Sequence, residues 1–207
     1  MMKRFTILLL FFCFSISAAF AQTAESILDK SAAKIRAAKG INVGFSLTQK
    51  DAQGHVISGS KGNMKIKGDK YYINQQGNEI YCNGIQTWNY DGQNEVTVTK
   101  VDKDEDDLSP QQILTGFNKK DFVIQQVSSA GINYQIQLIP VDKRQNFKQI
   151  NLYINKTTNL VAKASVADKM NKITEINFTN ISLNNSFADN QLVFDASKHP
   201  GVEVINN

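Results

Sequence analysis

From Gly59 to Thr99, apolar and polar residues alternate in short runs separated by tight-turn dipeptides, the period-2 pattern of half-buried strands. Met64 and Ile66 fall on one side of the chain, with Lys65 and Lys67 on the other. Gly68-Asp69 then turns the chain into Tyr71, Tyr72 and Ile73. Gly77-Asn78 breaks the next run, after which Ile80 and Cys82 alternate with Glu79, Tyr81 and Asn83; Asn83-Gly84 is a strong hairpin dipeptide. Trp88 and Tyr90 share a side, Asp91-Gly92 closes a further turn, and Val96 and Val98 lie opposite Glu95, Thr97 and Thr99. The pattern predicts five short amphipathic strands in an antiparallel meander.

Upstream, Ile27, Leu28, Ala32 and Ile35 make one apolar stripe, which predicts a helix over Ser26–Lys39 with Gly40 as its stop. Val43, Phe45 and Leu47 then alternate with Gly44, Ser46 and Thr48 into a Gln53-Gly54 turn, and residues 55–58 start the hairpin ladder. Downstream of the meander an acidic run, Asp102 to Asp107, precedes Ser109-Pro110, a cap and first-turn proline ahead of a short helix from Gln111 to Phe117. Ile113, Leu114 and Phe117 form its apolar side, and Gly116 weakens its end. Strand patterns resume at Phe122–Val127, Ile132–Ile139, Phe147–Ile154, Leu160–Val166 and Lys172–Ile181, with a last short run at Val202–Ile205. Residues 189–192 predict a turn or helical fragment. Roughly ten to twelve strands in one antiparallel sheet must curl or close. The expected fold is therefore mostly β within the α+β class: an incomplete, half-open antiparallel barrel capped by short helices that form a lid.

The N-terminus changes what counts as the fold. Lys3-Arg4, the apolar run Phe5 to Phe14 and the small residues of Ala19-Phe20-Ala21 read as a signal peptide over residues 1–21, cleaved before Gln22. Cys13 lies inside the apolar run and offers no lipobox, and the run is shorter than the roughly 20 residues of a membrane span. A single exported domain over residues 22–207 is expected. It retains 21 basic and 19 acidic residues, and a balance of +2 does not point to nucleic acid. Cys82 is the one cysteine left after cleavage, so no intramolecular disulfide forms.

Chemistry is sparse. His55 and His199 have no cysteine pair or carboxylate at ligand spacing and are expected to be solvated. Asp102, Asp104 and Asp106 begin like a calcium loop, but position six is Asp107 and position twelve is Ile113. Ser60 fails as a nucleophile elbow because Ser58 replaces the first glycine. No catalysis, metal or cofactor is expected. What remains is a curled sheet around a few helices, a container for an apolar ligand.

The chain resembles the LolA family of periplasmic lipoprotein carriers in the order and spacing of its segments: FSLTQ at Phe45–Gln49, GNMKIK at Gly62–Lys67, NGIQTWNYDGQNEVTV, SPQQIL, and the closing LVFDASKHPGVEVI. That resemblance implies a half-open barrel with a helical lid, a hydrophobic cavity for acyl chains, and no catalysis. It implies as partners an inner-membrane ABC-type lipoprotein-releasing complex and an outer-membrane lipoprotein receptor, with a monomer expected. Phe45, Leu47, Met64, Tyr71, Trp88, Ile113, Leu114 and Phe117 are the expected lining of the acyl-chain cavity and lid. The chain departs from the family at Lys67-Gly68-Asp69-Lys70, where better-known members carry a lysine-arginine-proline turn; the aromatic Tyr71 carries over and the lid-holding arginine does not. Another lipid or glycolipid binder, or an envelope-stress sensor domain, is the alternative on the same fold.

Overall fold

The computed structural model describes residues 23–101 and 108–206; the segment expected to be a signal peptide, the acidic run Asp102 to Asp107 and Asn207 lie outside the described residues. Helix α1 (Ala24–Arg36) starts at Thr23, whose Oγ1 accepts the Ser26 N–H at 3.2 Å. That cap is why the helix begins two residues before the expected Ser26. Glu25 in its first turn and Lys34 and Arg36 in its last match the helix dipole. A helix of 13 residues is marginal alone, so its stability comes from burying Ile27 and Ile35.

The strands are β1 (Ile41–Lys50), β2 (Val56–Lys67), β3 (Lys70–Gln75), β4 (Asn78–Cys82), β5 (Gln86–Tyr90) and β6 (Glu95–Lys100) before helix α2 (Pro110–Thr115). After it come β7 (Phe122–Ser128), β8 (Asn133–Pro140), β9 (Phe147–Asn155), β10 (Val161–Asp168), β11 (Ile173–Leu183) and β12 (Glu203–Asn206). All twelve form one open sheet in the order β12-β6-β5-β4-β3-β2-β1-β11-β10-β9-β8-β7. The predicted meander Gly59–Thr99 is thus β2 to β6, with β2 reaching back to Val56 through most of residues 55–58. The sheet remains unclosed, as the strand count allowed, and β12 adds to β6 in parallel.

The order explains the position of α2. β6 lies next to one edge of the sheet and β7 forms the other edge, and α2, between them in the chain, lies against both halves of the face they share. Ser109 Oγ accepts the Gln112 N–H at 3.2 Å and Pro110 occupies the first turn, as the sequence predicts. The core forms on the face that α1 and α2 cover, from Val43, Phe45, Met64, Ile66 and Ile73 through Ile136, Leu138, Ile150, Leu152 and Ile154 to Ile113 and Leu114. Each such side chain contributes about 1.5–3 kcal/mol on burial.

The opposite face of β3 to β6 has its own cover, the segment after β11. Phe194 meets Tyr81 at 5.8 Å and Tyr90 at 5.5 Å between ring centroids, and His199 stacks on Phe194 at 4.7 Å. His199 is therefore half-buried rather than solvated, because the C-terminal segment folds back onto the sheet. Beside it, Glu79 accepts the hydroxyls of Tyr72 at 2.7 Å and Tyr81 at 2.8 Å and the Asn74 amide at 3.2 Å. Burial pushes the Glu79 carboxyl up, but these hydrogen bonds outweigh it and hold the carboxyl below its ordinary range. Burial and the same bond push the Tyr72 phenol up to about 12. A depressed carboxyl adds stability above its unfolded pKa and loses it as pH falls through the folded one. The urea midpoint is expected to drop as pH falls below about 4.5, the ordinary value for this group. Glu79→Gln is expected to flatten that part of the profile, and an unchanged profile would show that Glu79 is not linked to folding.

Candidate functional site

Two cavities open between the helices and the sheet. The first, about 280 Å³, lies under α1 and the end of α2, walled by Leu28, Ala32, Ile113, Leu114 and Phe117 and floored by Phe122, Ile124, Leu138, Leu152 and Val161. Its lining is mostly apolar, with Asp29, Ser31, Arg36, Asn118 and Lys119 as the polar residues around it. Lys119 Nζ donates to Asp29 Oδ2 at 2.8 Å, linking the segment after α2 to α1; both groups are exposed, so the pair adds little stability. Ser31, 3% exposed on α1, lines the same cavity with its hydroxyl unpartnered among the described residues.

The second cavity, about 630 Å³, lies under the other half of the sheet, with Tyr71, Ile73, Ile80 and Cys82 as its apolar floor. Thr87, Asn89 and Thr99 continue that floor on β5 and β6, and Gln111 and Gln112 of α2 face it. Burial pushes the Cys82 thiol up, and its sulfur accepts the Gly84 N–H at 3.3 Å; it is a packed, protonated residue.

α2 stands between the two cavities: Gln111 and Gln112 border one, Ile113, Leu114, Gly116 and Phe117 the other. Six residues make too short a helix to persist without packing. It ends at Gly116, whose φ of 109° is left-handed and whose absent Cβ would stand 3.2 Å from Ala32 Cβ. Phe117 continues an aromatic row, 5.4 Å from Phe122, which lies 6.3 Å from Phe147.

The structure distributes the expected lining residues unevenly. Ile113, Leu114 and Phe117 line the first cavity and Tyr71 the second. Phe45, Leu47 and Met64 lie on the same face of the sheet but within packed core. Trp88 sits elsewhere: Thr87 and Asn89 face the second cavity, so Trp88 between them points to the opposite face, in register with Tyr81 and Val98. Trp88 and Tyr90 share one side as the alternation says, but that side is the one covered by the C-terminal segment. The first cavity's sheet floor comes from β7 to β10, strands whose alternation is as regular as that of β3 to β6.

The turn that departs from the family pattern has a defined role. Lys67 Nζ and Lys70 Nζ each donate to Asp189 at 2.6 Å, and Lys67 Nζ also donates to the Phe187 carbonyl at 3.1 Å. Those bonds tie the β2–β3 hairpin to the C-terminal segment, not to a helix of the lid.

The model of the family described as "Outer membrane lipoprotein carrier protein LolA" matches residues 36–195. An outer-membrane lipoprotein carrier protein of Francisella tularensis subsp. tularensis (strain WY96-3418) is 25% identical over 207 residues, covering 97% of each chain. That of Francisella tularensis subsp. novicida (strain U112) is 25% identical over 201 residues, covering 94% of each. Among solved structures, an uncharacterised conserved protein from Thermus thermophilus aligns with a TM-score of 0.60 at 13% identity, over 89% of this chain and 99% of that one.

Proposed function

We propose, from the premise that this chain belongs to the LolA family of outer membrane lipoprotein carrier proteins, that it is a periplasmic carrier that holds lipoprotein acyl chains under its helices and passes them from the inner to the outer membrane. The observation that carries this reading is the apolar cavity between α1, the end of α2 and strands β7 to β10.

The physical need for such a container is large. Burying each methylene is worth about 0.8 kcal/mol, so one acyl chain leaves a membrane reversibly while two or three hold it almost permanently. Crossing water requires an alternative apolar site of similar depth. The described cavity of about 280 Å³ falls just below the range of roughly 300–1,000 Å³ typical of ligand pockets. Loading several chains therefore requires α2 to move, which enlarges the first cavity toward the second. A short helix on a glycine hinge gives up few backbone hydrogen bonds by moving, and an incoming acyl chain replaces the apolar contacts that Ile113 and Leu114 lose. Loading and discharge are then opposite shifts of one equilibrium, biased by whichever partner binds the open or the closed form.

In this reading an inner-membrane ABC-type complex supplies the lipoprotein and an outer-membrane receptor accepts it. The test is release of a lipoprotein from spheroplasts carrying the cognate transporter, with mass spectrometry of the lipid bound to the purified protein. Lipoprotein in the soluble fraction and lipopeptide in the extract are expected. Free phospholipid alone, with no release, would favour a lipid-binding or envelope-sensing role and defeat the carrier reading.

A further inference from the structure

We propose that the second cavity is a subsite for an uncharged, hydrogen-bonding segment attached to the acyl chains: the ester and amide linkage region of an acylated N-terminus. This inference rests on the carrier reading above and assigns a place to the part of the cargo that is not hydrocarbon.

The argument begins with a reversal of polarity across one sheet. From β1 to β4 and from β7 to β11 the helix-covered face is apolar. At β5 and β6 that face becomes Thr87, Asn89 and Thr99, while the apolar residues of the same strands, Val96 among them, turn to the other side. Strand alternation makes this a property of the whole hairpin rather than of one position. The outward face is apolar because the C-terminal segment with Phe194 covers it. The inward face is thereby left polar, and it fronts a cavity of about 630 Å³.

A second observation comes from across that cavity. Gln112 on α2 lines that cavity, and its Oε1 is closed off from solvent with no hydrogen-bond partner among the described residues, so a ligand reaches it when α2 shifts. A buried acceptor without a donor is unfavourable, and a ligand N–H or O–H placed there would satisfy it. Thr87 already donates its hydroxyl to the Thr99 carbonyl at 3.4 Å, which leaves its oxygen available as an acceptor. The charged groups, Asp69 and Lys100, have opposite signs, so the site selects for hydrogen bonding rather than for net charge. An amphiphile lying across α2 would then place its chains in the apolar cavity and its linkage region in the polar one.

The test compares two probes on the full mature chain: palmitic acid, which has chain but no amide or glyceryl linkage, and a diacylglyceryl-cysteinyl peptide of neutral sequence. Gln112→Met and Thr99→Val, each close in volume to the native residue, are expected to weaken lipopeptide binding about tenfold and to change palmitate binding less than about twofold. Unchanged palmitate binding also reports that the variants are folded. Lipopeptide affinity within about twofold of wild type, or equal losses for both probes, overturns the subsite. Wild-type protein that binds palmitate and not lipopeptide overturns the carrier reading itself, a result distinct from either.

Discussion

Oxidation of an Ala32→Cys, Gly116→Cys pair is expected to reduce loading with acylated cargo at least about tenfold, with full recovery on reduction. The two Cβ positions are 3.2 Å apart and a disulfide spans about 3.5–4.5 Å, so closure needs a shift of a few tenths of an ångström; any side chain at 116 also strains its positive φ, so the reduced double variant is the reference for loading. The bond would fasten the end of α2 to α1 and hold the two cavities apart. If loading needs α2 to move, the oxidised protein is trapped in a form whose apolar space is about 280 Å³. Cys82 does not compete, because it is 2% exposed and burial keeps its thiol protonated. Thiol titration verifies closure, and loading is read with a fluorescent lipopeptide before and after reductant. Equal loading in both states would show that α2 is not the lid.

Gly62→Val is expected to destabilise the protein by about 3 kcal/mol or more, the upper end for overpacking. A Cβ there would stand 2.4 Å from the Asn74 backbone oxygen and 2.5 Å from Phe45 Cζ. The reason is register: Gly62 on β2 is opposite Phe45 on β1, and the ring fills the space a side chain would take. Phe45, 3% exposed and paired on its other side with Phe178, is the complementary half of the same arrangement. Phe45→Ala is expected to lose about 3–5 kcal/mol. Removing the ring does not rescue Gly62→Val, because the Asn74 carbonyl remains in the strand ladder. Urea denaturation followed by tryptophan fluorescence measures all three variants. A Gly62→Val protein within about 1 kcal/mol of wild type would mean that the β1–β2 register is different from the one described.

The same pair shows how far the chain can be read unaided. Alternation at Val43, Phe45 and Leu47 and again at Met64 and Ile66 identifies both strands and groups their apolar sides, since side-chain direction is local and repeats every two residues. Ser109-Pro110 and Gly116 likewise bracketed α2, because capping and left-handed φ are properties of single residues. Trp88 marks where that reasoning stops. Its alternation partners were correct, but which side of β5 faces the helices depends on what covers the other side, and that is Phe194, roughly a hundred residues later. His199 is half-buried instead of solvated for the same reason.

By itself, then, the sequence determined the mostly β class, the hairpin ladder, the two amphipathic helices with their apolar sides, and the family resemblance. Each follows from periodicity, turn chemistry or spacing along the chain. Only the tertiary structure decided that β1 joins β11, that α2 sits against both halves of the sheet, and that β5 and β6 turn their polar side inward. Those outcomes belong to pairings between distant segments, where burial on one face is settled by competition with whatever packs on the other.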